Sequence, residues 1–263
     1  MSRELISILP QPLDVYQAFA DAFLTQLRNH QGNTNTLNVI LPVGPTAQYE
    51  IIARSANTEK LSFANCRIVL MDEYLDWHGR PLPSSHALSF KGQFEKFISL
   101  LEPTLRPKEE HWIIPDPFEI ARVDRFIEKH GGIETCYGGI GVHGHIAFNE
   151  PPVSRYGKLS LEEFQLSGTR VVILAPETIT INALRGNHGK FSDFPNLAVT
   201  IGMKHILSSK SIRLFADGGT RQHEALLQFA DGPISVMYPI TLLKKHNDVK
   251  IVVDELTGAC LAL

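Results

Sequence analysis

The chain has 263 residues, 43% of them hydrophobic and 20% charged, with a formal net charge of −3 at pH 7. That length suits one large α/β domain, read as spanning 1–263, and the balance is that of an ordinary soluble globular protein. With no sustained basic run there is no electrostatic case for nucleic acid or an acidic membrane surface, no apolar stretch reaches membrane-spanning length, and Met1-Ser2-Arg3-Glu4-Leu5 lacks a secretory layout.

Residues 13–30 are predicted as an amphipathic helix, with Tyr16, Phe19, Ala20, Phe23 and Leu27 recurring on one face. Residues 36–43 form a short apolar run ending in Gly44-Pro45-Thr46, and residues 48–54 are helix-compatible. Strand, tight turn and helix is a phosphate-binding layout, because free N–H groups at a helix start face an anion; a plain strand–helix turn is the alternative. The next strand, 66–71, stops at Asp72-Glu73-Tyr74. Open α/β sheets place ligand sites at the C-terminal ends of strands, so this carboxylate pair is a site candidate. Strand alternation sends the two side chains opposite ways, one into the site and the other to structural hydrogen bonds. Residues 79–85, with Pro81 and Pro83, read as an irregular loop placed to overhang the pocket. Residues 89–101 and 121–130 are helix candidates. Strand candidates lie at 134–139, 171–174 (just after Thr169-Arg170), 197–201, 212–216 and 249–254. A helix is expected after Asp217-Gly218-Gly219-Thr220-Arg221-Gln222, burying Ala225, Leu226 and Phe229; another at 234–246 would be interrupted by Pro239. The alternation argues for a mainly parallel sheet with helices on both faces. Three scattered cysteines, Cys66, Cys136 and Cys260, lack metal-ligand spacing and read as buried thiols of a reducing cytosol.

The stretch with the most chemistry is 138–151, which holds Gly138, Gly139, Gly141 and Gly144 together with His143, His145, Asn149, Glu150 and Pro151. A glycine run marks backbone that bends sharply or approaches a ligand, and imidazole beside carboxylate holds a mobile proton near neutral pH. Gly139-Ile140-Gly141 and Gly144-His145-Ile146-Ala147-Phe148-Asn149-Glu150-Pro151 closely resemble the signature of the glucosamine-6-phosphate deaminase/isomerase family. Related galactosamine-phosphate isomerases and 6-phosphogluconolactonases share the glycine-histidine core but usually lack the Ala-Phe-Asn-Glu-Pro ending. The resemblance covers nearly the whole chain and implies a Rossmann-like α/β fold of the sugar-phosphate isomerase/lactonase type.

The same resemblance implies roles. Asp72 moves the C2 proton of an amino sugar, His145 opens the sugar ring, and Glu150 orients or charges His145. Gly44, Thr46, Glu73, Gly141, Gly144, Arg170 and Arg221 become candidate substrate contacts. No metal or organic cofactor is implied, because each step moves a proton between oxygen, nitrogen and carbon. The implied partner is a small sugar phosphate, in the cytoplasm, with a homo-oligomer left open. Three departures from the family pattern matter. His143 stands where the family usually has Asp, and a charged His143 would lower the pKa of His145, whereas an Asp would raise it. The phosphate loop, commonly Ser/Thr-Gly-Gly-Thr/Ser, keeps Gly44 and Thr46 but has Val43 and Pro45, each removing a donor. Arg221 or Gln222 takes the place of a phosphate-contacting Lys, and only Arg keeps the charge.

Three rival readings are weighed against deamination. Lactone hydrolysis by a histidine-activated water would leave Asp72 idle. Metal-assisted hydrolysis would have His143 and His145 ligate zinc beside Asp72 or Glu150, without support from a further ligand cluster in the sequence. A non-catalytic sugar-phosphate sensor would explain His143 and the altered loop, but not the intact Asp72, His145 and Glu150.

Overall fold

The structure, a computed structural model, describes residues 2–32, 36–43, 46–152 and 159–262. Ten strands form two sheets: β1 (Ile6–Leu9), β2 (Leu37–Leu41), β3 (Cys66–Leu70), β4 (Asp72–Leu75), β5 (Trp112–Ile113), β6 (Thr135–Gly138), β7 (Arg170–Ile173), β8 (Leu197–Thr200), β9 (Ser211–Ala216) and β10 (Val249–Asp254). Seven of them make a sheet in the order β1-β10-β9-β6-β2-β3-β5, and every pairing in it is parallel. The other three, β4-β8-β7, make a small antiparallel sheet.

Alternation along the central strands explains the helices on both faces. Val39 and Leu41 of β2 enter one apolar cluster and Ile40 enters the other; Ile68 and Leu70 of β3 likewise divide from Val69. A strand buried on both sides reads as a continuous apolar run and needs two covering layers. One layer is α1 (Pro12–Asn29), α2 (Ala47–Glu59) and α3 (Phe90–Leu100), whose Phe19, Phe23, Tyr49, Phe94 and Phe97 join Phe63 and Tyr137 in an aromatic core. The opposite layer includes α4 (Ala121–Lys129), α5 (Leu161–Gln165), α7 (Met203–Leu207) and α8 (His223–Ala230), contributing Val123, Ile127, Phe164, Ile206, Leu226 and Phe229. Between α5 and α7 in the chain comes α6 (Pro176–Gly186), and α9 (Glu255–Gly258) follows β10. No helix among the described residues is long and apolar enough to cross a membrane.

The expected elements fall within a few residues of those observed, with instructive exceptions. The chain does not stop at Asp72 but turns and continues as β4, because Asp72 to Leu75 pair with Thr200 to Leu197. Residues 234–246 hold a 3-10 turn, Pro239–Lys245, in place of an α-helix; the proline that begins it cannot donate to a preceding turn. Helix α6 and strand β1 were not expected. Residues 79–85 fold back on β4 and α3, with Leu82 N donating to Tyr74 O at 3.1 Å, and none of them lines the pocket described below.

Strand order reverses between β2 and β6: the chain adds β3 and β5 outward from β2, then returns to place β6, β9 and β10 on the other side. The crevice beyond the carboxyl ends at such a reversal is where open α/β sheets bind ligands.

Candidate active site

That crevice holds a cavity of about 460 Å³. Its floor comes from strand ends: Pro42 and Val43 after β2, Met71 and Asp72 after β3, Gly139 to Val142 after β6, and Asp217 and Gly218 after β9. Helix α1 supplies Tyr16, the start of α2 supplies Thr46 and Ala47, and α6 supplies Thr178, Ile181, Asn182, Arg185 and Gly186.

The loop after β6 is shaped by its glycines. Gly144 N donates to Gly141 O at 2.9 Å and Gly141 N donates to His145 O at 2.9 Å, closing a tight double turn. Gly144 sits at φ +72, and a Cβ there would meet Ile240 Cγ2 at 2.8 Å. Its requirement is therefore conformational and steric, and it does not line the cavity as a substrate contact would. Gly141 does line it, and for a different reason. The His145 imidazole lies directly over it, so that a Cβ would fall 1.9 Å from Nε2. Beyond, Ala147 adopts φ +53, a strained value for a residue with a side chain. Asn149 braces this geometry. Its Nδ2 donates to Ile146 O at 2.9 Å and Ile201 O at 3.0 Å, and its Oδ1 accepts from Arg170 Nη1 at 2.8 Å.

Among the proposed catalytic groups, Asp72 and His145 face the same cavity. Asp72 is 6% exposed, and no side chain or amide among the described residues donates a hydrogen bond to it; burial, then neighbouring Glu73, holds its pKa well above the usual carboxylate value. His145 is 7% exposed, and burial, reinforced by His143, pushes its pKa down to about 3. The direction expected of a histidine at 143 is present, but desolvation is the larger cause. His143 and Glu150 lie behind His145, outside the cavity lining. The two imidazole rings are 5.8 Å apart at their centroids, and one ligand-type atom from each of His143, His145 and Glu150 lies within 4.8 Å of the others. Glu150 Oε2 accepts from Ala175 N at 2.6 Å, at the start of α6; burial raises this carboxyl while that amide and Thr178 oppose the rise. His143 Nε2 is 3.8 Å from Glu177 Oε2, and burial lowers its pKa against that carboxylate.

Other sequence candidates are corrected. Glu73 is 1% exposed and absent from the cavity. It accepts from Tyr74 N, Ser89 Oγ, Phe90 N and Lys91 N at 2.8 to 3.0 Å, so it is the structural member of the carboxylate pair, fixing the start of α3. Arg170 does not line the cavity either: its guanidinium is engaged by Asn149, and burial lowers its pKa. Gly44 and Pro45 lie outside the described residues, while Val43 and Thr46 on either side line the cavity. Gln222 is buried, donating to Ile140 O and accepting from Gly218 N at 2.8 Å, which pins the two glycine loops together. Arg221 is exposed at the cavity and, among the described residues, has no hydrogen-bond or ion-pair partner.

Several cavity residues were not expected. Tyr16, read as a core residue, donates its hydroxyl to Asp217 Oδ2, and burial followed by that bond pushes its pKa up to about 12. Arg185 stands 3.6 Å from Asp217 Oδ1, and Asn182 Nδ2 donates to Tyr74 OH at 3.1 Å. Helical spacing put Tyr16 on the apolar face but carries no information that its hydroxyl reaches the crevice, and α6 left no signal at all.

Buried proton-transfer groups, a glycine-framed loop and a cation, Arg221, without a partner among the described residues suit chemistry on a small anionic molecule at a strand-order reversal. No family model matches the chain. It is 31% identical to the glucosamine-6-phosphate deaminase of Corynebacterium aurimucosum over 258 residues, 97% of this chain and 93% of that protein. It is also 31% identical to the Rhodococcus opacus glucosamine-6-phosphate deaminase over 264 aligned positions, covering 98% and 93%. Among solved structures, a monomeric glucosamine-6-phosphate deaminase of the NagB superfamily superposes with a TM-score of 0.79 at 26% identity, covering 97% of this chain and 99% of that one. The 6-phosphogluconolactonase of Trypanosoma cruzi shares the fold, with a TM-score of 0.66 at 15% identity over 98% and 97%. With Asp72 and His145 converging where the signature leads, and relatives of this identity spanning almost its full length, the chain belongs to the glucosamine-6-phosphate deaminase family, a family of enzymes.

Proposed function

We propose that this chain converts a 2-amino-2-deoxyhexose 6-phosphate, glucosamine-6-phosphate first among them, and water into a ketohexose 6-phosphate and ammonia. The observation that carries the reading is that Asp72 and His145 line one cavity whose rim holds Arg221, a cation with no partner among the described residues. His145, neutral at working pH, accepts the proton of the C1 hydroxyl and passes it to the ring oxygen, which opens the ring. Asp72 removes the C2 proton as the aldehyde oxygen gains one, forming a C1=C2 enolamine, and returns a proton to C1. The resulting C2 iminium adds water and ammonia leaves, so the net change is a hydrolysis at C2. Burial raises the Asp72 carboxyl, which makes its carboxylate a stronger base toward the C2 proton, and the proton it takes there is the one it returns to C1.

Arg221 takes the phosphate, replacing donors lost at Val43 and Pro45, while Glu150 and His143 position the His145 ring. The three buried free cysteines support action in a reducing cytosol. An ammonia-release screen across glucosamine-6-phosphate, galactosamine-6-phosphate and both unphosphorylated sugars tests the reading. Ammonia and ketose phosphate should appear in equal amounts. Lactone hydrolysis without ammonia would refute it.

A further inference from the structure

We propose that His143, His145 and Glu150 together form a binding site for a divalent transition metal of the zinc class, and that the bound ion blocks proton transfer through His145. The three side chains each present a buried polar atom with no partner at hydrogen-bond distance among the described residues: Nδ1 of His143, Nδ1 of His145 and Oε1 of Glu150, near which Thr178 Oγ1 is also unpartnered. Leaving even one such atom unsatisfied costs about 1–3 kcal/mol, so three in one place mark a site shaped for something else. The side chains are also close enough to share an ion, with one ligand atom from each within 4.8 Å of the others. His145 is nine-tenths buried, so its free nitrogen faces protein and the cluster in preference to water.

The surroundings resemble the outer shell of a metal centre. The other Glu150 oxygen is fixed by Ala175 N at 2.6 Å, as the outer partner of a ligand carboxylate is, and the other His143 nitrogen has the Glu177 carboxylate nearby at 3.8 Å, beyond hydrogen-bond length. Two imidazoles and one carboxylate suit Zn²⁺, Co²⁺ or Ni²⁺ and disfavour Mg²⁺ and Ca²⁺, which prefer all-oxygen sets. Three protein ligands leave a coordination position for water. A metal on Nδ1 of His145 fixes the tautomer in which Nε2, over Gly141 at the cavity, carries the ring proton and cannot accept another, so metal and catalysis compete for His145. The binding claim stands alone; its inhibitory consequence rests on the deaminase reading.

The test titrates chelator-treated, metal-free protein with cobalt(II) chloride, following visible d–d absorption, with equilibrium dialysis to count bound ions. One Co²⁺ per chain is expected, displaced by Zn²⁺. His143→Asn, His145→Asn and Glu150→Gln should each weaken binding at least tenfold while keeping the near-UV circular dichroism of a folded chain. Glu177→Gln should weaken it less, by about tenfold at most. Asp72→Asn, outside the cluster, should bind as wild type. The site is refuted if wild type shows no saturable 1:1 band, or if the band survives unchanged in all three ligand variants. One equivalent of Zn²⁺ should suppress ammonia release and chelator should restore it; binding without suppression overturns the inhibitory half. The cobalt result is read whether or not the chain deaminates, so failure of the metal site and failure of the activity reading are distinguished.

Discussion

Gly141 is the position where one methyl group separates two effects that usually travel together. An alanine Cβ there would lie 1.9 Å from His145 Nε2 and 2.2 Å from Cδ2 and Cε1. Ordinary contact begins near 3.4 Å, so the ring must retreat by 3.4 − 1.9, about 1.5 Å. The backbone cannot give way instead, because Gly141 N and O are both held, by His145 O and Gly144 N. Nor does alanine meet a dihedral penalty, since Gly141 is not among the positive-φ glycines. The whole cost is the clash with one ring. A misplacement of about 1 Å at a reacting group is worth on the order of a hundredfold in rate, so Gly141→Ala should lose that much kcat or more. Overpacking should also destabilise by about 1–3 kcal/mol. In a His145→Ala background the ring is gone and the clash with it. There the same glycine-to-alanine change should be neutral or stabilising by a few tenths to about 1 kcal/mol, because alanine restricts the unfolded chain. The expected coupling between the two sites is therefore about 1–4 kcal/mol, with the destabilising effect of the glycine-to-alanine change lost or reversed once the ring is gone. Urea midpoints of the four proteins, compared at constant m-value, measure it. Equal destabilisation in both backgrounds would refute the placement of the imidazole over Gly141.

The remaining expectations concern the carboxylates and the anion contact. Folding raises the Asp72 pKa, so its stabilising contribution is complete below the unfolded value, about 3.9, and is lost as pH rises through the folded value. Asp72→Asn should therefore abolish turnover yet raise Tm at pH 8 relative to wild type, with the gap closing toward pH 4, where scanning calorimetry would contradict the argument by showing a constant gap. Arg221→Ala should raise KM much more than it lowers kcat, since phosphate binding is shared by ground and transition states; an unchanged KM for the phosphorylated sugar places the cation elsewhere. Glu73→Ala strands the donors of Tyr74, Ser89, Phe90 and Lys91 and should cost about 2–4 kcal/mol of unfolding free energy, whereas Glu73→Gln, which keeps an acceptor, should cost less.

What could be read from the sequence was what local pattern determines. Helix α1 announces itself by the 3.6-residue recurrence of Phe19, Phe23 and Leu27, and β2, β3 and β9 by short apolar runs, so the mainly parallel architecture and the strand-end position of Asp72 followed. The opposite fates of Asp72 and Glu73 also followed from alternation, although which of the two faced inward did not. The parts that escaped are those settled by distant partners. Helix α6 carries Thr178, Ile179, Thr180 and Ile181, β-branched residues of weak helix propensity, and only its packing decides the matter. Strand β4 is half acidic and counts as a strand because β8 pairs with it and α3 satisfies Glu73. Arg170 was expected as a substrate contact, yet nothing local reveals that Asn149 captures it.

Helix α6 also explains why a motif match alone gives half a site. Its first turn and the residue before it hold Glu150 through Ala175 and face His143 through Glu177, while later turns bring Asn182 and Arg185 to the cavity. The signature itself divides by what its members touch. Gly144 and Asn149 hold backbone in place: the glycine accommodates Ile240, and the amide ties together Ile146, Ile201 and Arg170. Both match the family pattern. The described departures sit elsewhere: Val43 and Arg221 on the cavity lining, His143 against the His145 imidazole. A substitution at a brace would leave buried carbonyls and a buried guanidinium unsatisfied and would cost the fold. A substitution facing the cavity or the imidazole changes instead which groups meet the ligand and what the ring beside His143 can bind. The loop frame is thus the family's, and the chemistry distinctive of this chain is concentrated in three side chains set on that frame.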